Sequence, residues 1–434
     1  MTKSVSKKKP RNKQIAIIGL GYVGLPLACL AAEKGYQVIG VVRDNKKAEM
    51  INYKKSPIDD RRLQRWLKKV DLKVSTDFKS IKQARIIVVC VPTPIDENHD
   101  PDFQPLIKAC TDISKYLKKG QLVIIESTIN PGVCEEIILP ILEKSGLKAG
   151  KHFGLAHCPE RINPGDPKWT VRNIPRVVGA LTEKDLKSAV DFYQSIIEGP
   201  VRPMGSIKAA EATKILENSF RDINIAFINE IAQSFDKMGI DVFDVIEGSK
   251  TKPFAFMAHY PSCGVGGHCI PVDPYYLIQR AKESGFDHRF LKLAREINNS
   301  MPGYTVNLLA ESLNQIKRSV KGTKVGVLGL AYKANIEDTR ESPAYGIIKI
   351  LKQLGAEIDI FDPYVLKEST VDSLEELIDR VEALILVTNH AEFETLDIGR
   401  LKRQGIKVII DGKNILPKDK IKKAGIIYRG IGRQ

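Results

Sequence analysis

The sequence predicts an α/β fold in which two Rossmann-like, doubly wound parallel-sheet domains are joined by a long central helix. Short apolar runs alternate with helical stretches in both halves, a glycine fingerprint follows the first run, and about 30 residues without glycine or proline separate the halves. Such alternation is typical of a parallel sheet covered on both faces. We therefore expect a basic disordered tail over 1–12, a first Rossmann domain over 13–203, a central helical domain over 204–304 and a second Rossmann-like domain over 305–434.

Size and composition limit the class of protein. The chain has 434 residues, of which 43% are hydrophobic, enough for two or three ordinary cores. No apolar run approaches the roughly 18–20 residues of a membrane helix, and the lysine-rich segment Met1–Lys13 lacks the apolar stretch of a signal peptide. The net charge of +15 favours an anionic partner, but no basic-aromatic nucleic-acid motif is present. Seven scattered cysteines favour reduced thiols. We expect a cytoplasmic protein that binds neither nucleic acid nor a membrane.

A glycine fingerprint directly follows the first predicted strand. Gln14–Ile18 is a short apolar run, and Leu25–Lys34 has the pattern of a helix. Between a strand and a helix, glycines permit a tight turn and the close approach of a pyrophosphate to the helix N-terminus. We therefore predict a dinucleotide site formed by Gly19, Gly21, Tyr22, Val23 and Gly24.

The end of the second predicted strand bears on the choice of cofactor. A Rossmann domain usually holds the adenosine ribose through an acid at this position, but Gln37–Val42 ends in valine and continues into Arg43 and Asp44. Either Asp44 binds the ribose, which favours NAD, or Arg43 accommodates a 2′-phosphate, which favours NADP. We predict NAD and keep NADP as the alternative, because Val42 stands in place of the acid.

Two further predicted strands lead to threonines. Ile86–Val91 is followed by Thr93, and Leu122–Glu126 is followed by Thr128. Ligands of doubly wound sheets lie at the carboxyl ends of the strands, so we expect both threonines at the cofactor crevice. The structural alternative for each is a helix N-cap.

A long helix is predicted between the two halves. Apolar residues recur at helical spacing from about Ile207 to Met238, which corresponds to about 45 Å of helix. A helix of this length can link two domains and pair with a copy of itself, so we expect a homodimer or a higher homo-oligomer. Lys214, Asn218 and Arg221 share one helical face, which is either a solvent-facing stripe or a functional one.

A glycine-rich loop presents a cysteine. The stretch Gly264–Asp273 places Cys269 after the glycines and Asp273 four residues later. Glycine lets a backbone approach a ligand, and a thiol acts as a nucleophile where a helix N-terminus or an ammonium stabilises its thiolate. An inert core cysteine is one alternative. The other is a metal cluster of His259, Cys263, His268 and Cys269. Because no CxxC pair is present, we predict no metal.

The second half repeats the strand–helix pattern. Thr323–Leu328 is followed by Gly329–Lys333, a degenerate echo of the first fingerprint. Three further strands complete a second parallel sheet, at Ile358–Phe361, Ala383–Thr388 and Val408–Ile410. Beyond Leu416 the chain is lysine-rich, and we expect it to be loose.

From Lys13 to Leu416 the chain resembles the nucleotide-sugar 6-dehydrogenases, the family of UDP-glucose, UDP-N-acetylhexosamine and GDP-mannose dehydrogenases. The cysteine loop, the polar face of the central helix and the Leu-Gly-Leu-Ala-Tyr-Lys stretch at residues 328–333 carry the resemblance. It implies an NAD-binding first domain, a central dimerisation domain with the catalytic cysteine, and a UDP-sugar-binding last domain. It also implies a two-step oxidation of a C6 hydroxyl to a carboxylate, through a thiohemiacetal and a thioester on Cys269.

The resemblance assigns roles to individual residues. In the catalytic set, Lys214 and Asn218 stabilise an oxyanion, Asp273 assists proton transfer, and a glutamate and a threonine position water. That catalytic set is Cys269, Lys214, Asn218, Asp273, Glu160 and Thr128. The cofactor-binding residues are Gly19, Gly21, Tyr22, Val23, Gly24, Asp44, Thr93, Thr128 and Arg340. The substrate-binding residues are Arg161, Ile162, Lys214, Asn218, Arg221, Gly266 and Lys333.

Three stretches are similar to the N-acetylhexosamine branch of the family. They are Pro159–Gly165, Asn218–Asp222 and His268–Pro271. They imply UDP-N-acetylglucosamine or UDP-N-acetylmannosamine as the substrate, with UDP-glucose as the alternative. Two other classes compete: a non-catalytic, NAD-sensing protein with two Rossmann domains, and a DNA-binding protein. The joint presence of cysteine, lysine, asparagine and aspartate argues against the first, and the absence of a recognition element argues against the second.

Overall fold

The computed structural model describes residues 14–58, 60–96, 100–162 and 168–434. The predicted tail over 1–12 and the segment Asn163–Gly165 lie outside these ranges. The chain forms two compact units. The N-terminal unit extends to Glu217 and includes Tyr275–Arg280, and the C-terminal unit contains Asn218–Pro274 and Ala281–Gln434.

The N-terminal unit is built on an eight-stranded sheet of order β3-β2-β1-β4-β5-β6-β7-β8 within the described residues. Its strands are β1 (Gln14–Ile18), β2 (Gln37–Val41), β3 (Leu72–Ser75), β4 (Ile86–Val89), β5 (Leu122–Ile125), β6 (Gly154–His157), β7 (Arg176–Ala180) and β8 (Val201–Pro203). Its helices are α1 (Gly24–Glu33), α2 (Asn45–Asn52), α3 (Arg61–Leu67), α4 (Gln104–Ser114), α5 (Leu139–Glu143) and α6 (Glu183–Ile196).

Helices cover both faces of this sheet. All four residues of β4 and of β5 are buried, as expected for central parallel strands with no solvent-facing side. One core contains Leu25 and Leu30 of α1, and the other contains Leu106 and Ile113 of α4. The predicted glycine fingerprint thus lies between β1 and a buried helix.

One strand pair departs from the parallel arrangement. β6 and β7 pair antiparallel, with Ala156 opposite Ala180 and His157 opposite Gly179. Because β7 runs antiparallel to β6, its first residue, Arg176, lies at the edge where β6 and the strands parallel to it end. The carboxyl edge of the sheet therefore receives a residue from the start of a strand.

The C-terminal unit is built on a five-stranded parallel sheet of order β10-β9-β11-β12-β13 within the described residues. Its strands are β9 (Lys324–Leu328), β10 (Glu357–Phe361), β11 (Ala383–Leu386), β12 (Val408–Asp411) and β13 (Ile427–Gly430). The remaining helices, in chain order, are α7 (Ile207–Met238), α8 (Val242–Lys250), α9 (Asp273–Glu283), α10 (Arg289–Gln315), α11 (Pro343–Gln353), α12 (Leu374–Arg380), α13 (Ala391–Glu394), α14 (Ile398–Arg403) and α15 (Lys418–Lys423).

The long central helix is present as predicted. α7 has 32 residues and continues from the N-terminal unit into the C-terminal unit. In the C-terminal unit it packs on α10 through buried polar contacts: Arg295 Nη1 lies 2.5 Å from Asp222 Oδ1, and Asn229 donates to Asn298 at 2.9 Å. The predicted fold class, two Rossmann-like parallel-sheet domains joined by a long helix, is confirmed. Within the described residues, no helix has both the length and the apolar character to cross a membrane.

The expectation of a loose chain beyond Leu416 was wrong. This segment forms α15 and the edge strand β13. Ile421 and Tyr428 are buried in the core of the C-terminal unit, while Lys418 and Arg433 both pair with Asp241, at 2.7 and 2.9 Å. The lysines occupy the exposed side of a short amphipathic helix, so composition alone concealed the order.

Candidate active site

The backbone of the fingerprint loop is closely packed at two of its glycines. A Cβ on Gly24 would lie 1.9 Å from the oxygen of Gly19, and one on Gly19, where φ is +88°, would lie 2.7 Å from the oxygen of Cys90. Apart from Gly21 itself and its two chain neighbours, no described atom lies within 4 Å of a Cβ placed on Gly21. α1 begins without a side-chain cap at Val23 and without an acid in its first turn, so its N-terminus suits an anion. Tyr22, beside these residues, is exposed.

The residues after β2 are already engaged in local contacts. Asp44 is the N-cap of α2 and accepts from the amide of Lys46 at 2.8 Å. Arg43 donates to the carbonyl of Pro105 at 3.2 Å, and Val42 is buried. The capping role of Asp44 uses one carboxylate oxygen, Oδ1.

The two crevice threonines are brought together. Thr93 Oγ1 donates to the carbonyl of Thr128 at 2.8 Å. Tyr276 donates in turn to the carbonyl of Thr93 at 2.5 Å. The loops after β4 and β5 are thus tied to each other at the carboxyl edge of the sheet.

Glu160 and Arg161 follow β6 at the same edge. Glu160 Oε1 accepts from the amides of Arg161 and Ile162, at 2.6 and 2.5 Å, and Oε2 lies 3.0 Å from Arg176 Nη2. The guanidinium of Arg161 pairs with Glu217, with Nε 3.0 Å from Oε2. Glu160 is therefore a fixed, buried carboxylate, whereas Arg161 is partly exposed.

The cysteine loop lies in the C-terminal unit, at the start of α9. The carbonyl of Cys269 accepts from the amide of Asp273 at 2.8 Å, and Cys269 Sγ lies 3.6 Å from His268 Nε2. The thiol is partly exposed. Sequence analysis did not assign His268 to the site, although its position next to the cysteine was a signal.

The glycines of this loop admit a neighbouring ring. A Cβ on Gly266 would lie 2.6 Å from Tyr332 Cβ, and one on Gly267, where φ is +89°, would lie 2.8 Å from the Tyr332 ring. The amide of Gly267 donates to the carbonyl of Arg340 at 2.9 Å. We predicted glycine for the approach of a ligand; the structure shows that these glycines permit packing of the loop on Tyr332.

Two predicted catalytic residues are in direct contact. Asn218 Nδ2 on α7 donates to Asp273 Oδ2 at the start of α9, at 2.5 Å. Asp273 is buried and Asn218 is partly buried. Lys214, one helical turn before Asn218, is also buried, whereas Arg221 is exposed.

The loop Gly329–Lys333 after β9 is held by an aspartate that sequence analysis overlooked. Asp362 Oδ2 accepts from the amides of Leu330 and Ala331, at 2.6 and 2.8 Å, and lies 3.1 Å from His390 Nε2. Lys333 follows in the same loop and is partly buried. Arg340 pairs with Asp338, with Nε 2.9 Å from Oδ1. The position of Asp362 at the end of β10 was a signal for a loop-binding acid.

The predicted catalytic residues are divided between the two units. Thr128, Glu160 and Lys214 belong to the N-terminal unit. Asn218, Cys269 and Asp273 belong to the C-terminal unit. Among the described residues, no group of three or more histidine, cysteine or acidic side chains could hold a metal ion.

Three domain models of one family match the chain in order. They are the NAD binding domain of the UDP-glucose/GDP-mannose dehydrogenase family over residues 13–197, its central domain over 208–300 and its UDP binding domain over 326–418. The chain belongs to this family.

Individual members of the UDP-glucose/GDP-mannose dehydrogenase family match nearly the whole chain. A UDP-N-acetyl-D-mannosamine dehydrogenase of Pyrococcus horikoshii is 38% identical over 97% of this chain and 99% of its own. A UDP-N-acetyl-D-glucosamine 6-dehydrogenase of Pseudomonas aeruginosa is 36% identical over 94% of this chain and 99% of its own. The solved structure of the UDP-D-ManNAc dehydrogenase from Pyrococcus horikoshii is similar with a TM-score of 0.91, at 37% identity over 97% of this chain and 99% of that one.

Membership of the UDP-glucose/GDP-mannose dehydrogenase family gives the general activity. The chain is an oxidoreductase, a UDP-sugar dehydrogenase that uses a nicotinamide cofactor and carries a UDP-binding domain. The interpretation as a non-catalytic nucleotide-binding protein is therefore set aside.

Proposed function

We propose that the enzyme oxidises the C6 hydroxyl of a UDP-N-acetylhexosamine to the uronic acid, in two two-electron steps. The substrate is UDP-N-acetylglucosamine or UDP-N-acetylmannosamine. The observation that carries this proposal is that relatives named for these two sugars are 36% and 38% identical over nearly the full chain. UDP-glucose is the alternative substrate.

Cys269 is the proposed covalent centre. Its position at the start of α9 favours the thiolate, since a helix N-terminus stabilises negative charge on sulfur. The His268 ring lies 3.6 Å from the sulfur, within reach of a hydrogen bond. When bound, the nicotinamide supplies the hydride acceptor for each oxidation. The thiolate adds to the aldehyde carbon to form a thiohemiacetal, whose oxidation leaves a thioester. The oxygen of water then bonds to that carbon, the carbon–sulfur bond breaks, and its electron pair returns to Cys269.

The other proposed catalytic residues stabilise charge and move protons. Asp273 orients the amide of Asn218 by accepting one of its hydrogens, and Asn218 and Lys214 stabilise the oxyanion that forms at the reacting carbon. Glu160 is the proposed acceptor of the proton of the attacking water; two amides hold its Oε1, and Arg176 faces its Oε2. Thr128 helps to position that water.

NAD is the proposed cofactor. The fingerprint loop fits a pyrophosphate, because Gly21 leaves the backbone open to close approach. Asp44 lies three residues after the end of β2 and is the proposed ribose ligand, and Arg43 donates to the carbonyl of Pro105. NADP remains the alternative because Val42 replaces the expected acid. Thr93, Thr128, Tyr22 and Arg340 complete the proposed cofactor contacts.

Substrate contacts, domain limits and assembly are also proposals. The proposed UDP-sugar contacts are Arg161, Ile162, Lys214, Asn218, Arg221, Gly266 and Lys333. The three matched family domains fall within the proposed limits 13–203, 204–304 and 305–434.

Leu216, Phe220 and Phe227 are exposed apolar residues of α7, which supports a homodimer or higher oligomer through this helix. Free cysteines support a cytoplasmic location.

The test is the formation of NADH or NADPH from four sugar nucleotides: UDP-N-acetylglucosamine, UDP-N-acetylmannosamine, UDP-glucose and GDP-mannose. We expect turnover of an acetamido sugar with NAD, and two NADH per sugar. Cys269→Ser should release aldehyde-level product with one NADH per sugar. Preference for UDP-glucose would replace the substrate assignment, and two NADH per sugar from Cys269→Ser would refute the covalent mechanism.

A further inference from the structure

A buried arginine faces the proposed water-activating glutamate. The antiparallel ladder of β6 and β7 pairs Ala156 with Ala180 and His157 with Gly179. Continuing this register past the end of β6 brings Glu160 level with Arg176, the first residue of β7. The side chain of Arg176 is 0% exposed, and its Nη2 lies 3.0 Å from Glu160 Oε2. A fully buried arginine requires a partner of opposite charge.

A second carboxylate shares this guanidinium. Glu126, directly after β5, is 1% exposed, and its Oε2 lies 3.8 Å from Arg176 Nη1. Its other oxygen accepts from Tyr193 at 2.5 Å, and Cys90 Sγ lies 3.8 Å from Oε2. Arg176 thus stands between Glu126 on one side and Glu160 on the other.

The two carboxylates compete for one positive charge. Neither contact of Arg176 has the geometry of a hydrogen bond within the described residues, because the Glu126 contact at 3.8 Å is too long and the Glu160 contact at 3.0 Å is misaligned. Both contacts therefore act mainly through charge. Burial raises the pKa of Glu126 to about 7, with Arg176 opposing and Glu160 reinforcing the rise. A carboxylate in this setting exchanges a proton near neutrality because burial, and to a smaller extent repulsion from Glu160, disfavours its ionised form.

The other titratable groups around Glu126 do not change charge in this range. They are the phenol of Tyr193 on α6, the thiol of Cys90 after β4 and the thiol of Cys158 after β6. Burial raises the pKa of each above its usual range. Glu126 is therefore the group of this cluster whose charge varies with pH near 7.

We propose that Arg176 is a positioning residue that holds Glu160 for water activation, and that Glu126 sets how tightly Arg176 holds Glu160 by sharing the same guanidinium. This inference rests on the proposed function of Glu160. When Glu126 carries a proton, Arg176 pairs with Glu160 alone and holds it most tightly. When Glu126 is ionised, the two carboxylates share the guanidinium, and Glu160 is held less tightly as it takes part in the cleavage of the thioester on Cys269.

Hydrolysis of the thioester gives a direct readout. The enzyme is mixed with an acetamido UDP-sugar and NAD, quenched with acid at set times between pH 6 and pH 9, and analysed as intact protein by mass spectrometry. The decay of the covalent adduct is then measured separately from both oxidations. For the wild type, we expect the decay rate to rise with pH through an ionisation near neutrality.

Glu126→Gln keeps the shape of the side chain but not its charge. We expect its adduct to decay about tenfold more slowly than that of the wild type at pH 8, with the rise near neutrality lost. Tyr193→Phe removes a hydrogen bond that lowers the pKa of Glu126, so the midpoint of the rise should move to higher pH. Tyr193→Phe keeps the test decisive if Glu126→Gln does not fold.

Glu33→Gln is the matched control, because Glu33 forms a half-exposed ion pair with Arg172 in the same unit. It should leave the pH profile unchanged. An unaltered profile in Glu126→Gln, or a midpoint in Tyr193→Phe that stays in place or falls, would overturn the inference while the proposed function stands. A wild-type enzyme that reduces NAD without any adduct would overturn the proposed function, and this inference with it.

Discussion

Replacement of Gly21 by alanine should separate cofactor binding from the stability of the fold. A Cβ at this position meets no described atom within 4 Å, and its φ is not positive. We expect the free energy of unfolding to change by less than about 0.5 kcal/mol. The added methyl group would stand where the pyrophosphate approaches the backbone, so the Kd for NADH should rise at least about tenfold, or about 1.4 kcal/mol.

Gly24→Ala provides the contrast. Its Cβ would lie 1.9 Å from the carbonyl oxygen of Gly19 and 3.2 Å from Cys90 Cβ. Because the first contact is with backbone, the loop or α1 has to shift. We expect the free energy of unfolding to fall by about 1–3 kcal/mol, as for other overpacked sites, and cofactor binding to weaken as well.

Urea unfolding followed by circular dichroism measures the first quantity, and NADH fluorescence titration measures the second. Wild-type affinity for NADH in Gly21→Ala would refute the assignment of this loop to the pyrophosphate. A wild-type urea midpoint in Gly24→Ala would refute the packing argument.

Three further changes test other parts of the structure. Arg295→Met leaves the buried carboxylate of Asp222 without its partner at 2.5 Å, and urea titration should show a loss of about 3–5 kcal/mol. The same assay should show less than about 1 kcal/mol for Arg318→Ala at a more exposed pair. Burial alone would raise the pKa of Asp362, but hydrogen bonds with a buried imidazole and with backbone amides lower it. The stabilisation that this carboxylate gives to the fold is present above about pH 4 and is lost as the pH falls. Asp362→Asn should therefore flatten the acid decline of the unfolding free energy between about pH 5 and pH 2. Asp273→Asn should lower kcat for NADH formation about 100-fold, because the carboxylate that assists proton transfer is lost.

Each of these three predictions can be contradicted by a specific result. An Arg295→Met variant as stable as Arg318→Ala would show that the α7–α10 contact contributes little. An acid decline as steep in Asp362→Asn as in the wild type would remove this carboxylate from the pH response. Unchanged kcat in Asp273→Asn would exclude the residue from catalysis.

Much of the fold could be predicted because it depends on local patterns. Apolar runs such as Ile86–Val89 are buried on both faces, so every residue of the strand is hydrophobic. The sequence of α7 has helical periodicity and contains no glycine or proline over its whole length. The end of the chain was mispredicted because Ile421 and Tyr428 supply few apolar residues among many lysines, and only tertiary packing reveals them.

The candidate site was harder to predict where contacts depend on register. Asn218 and Asp273 are 55 positions apart and meet only through packing. Arg176 looks like a surface residue in the sequence, and its burial follows from the reversal of β7. The glycines beside Cys269 were noticed, but their neighbour Tyr332 comes from a loop more than 60 residues away.

The carboxylate of Asp362 occupies the loops at the carboxyl end of the second sheet. Four backbone amides, those of Leu330, Ala331, Tyr364 and Val365, are saturated by one internal carboxylate. A dinucleotide could bind the amides of this loop only by displacing the buried carboxylate. The second sheet therefore does not provide a second dinucleotide site. Equilibrium dialysis should accordingly count one nicotinamide dinucleotide per polypeptide, despite the duplicated architecture.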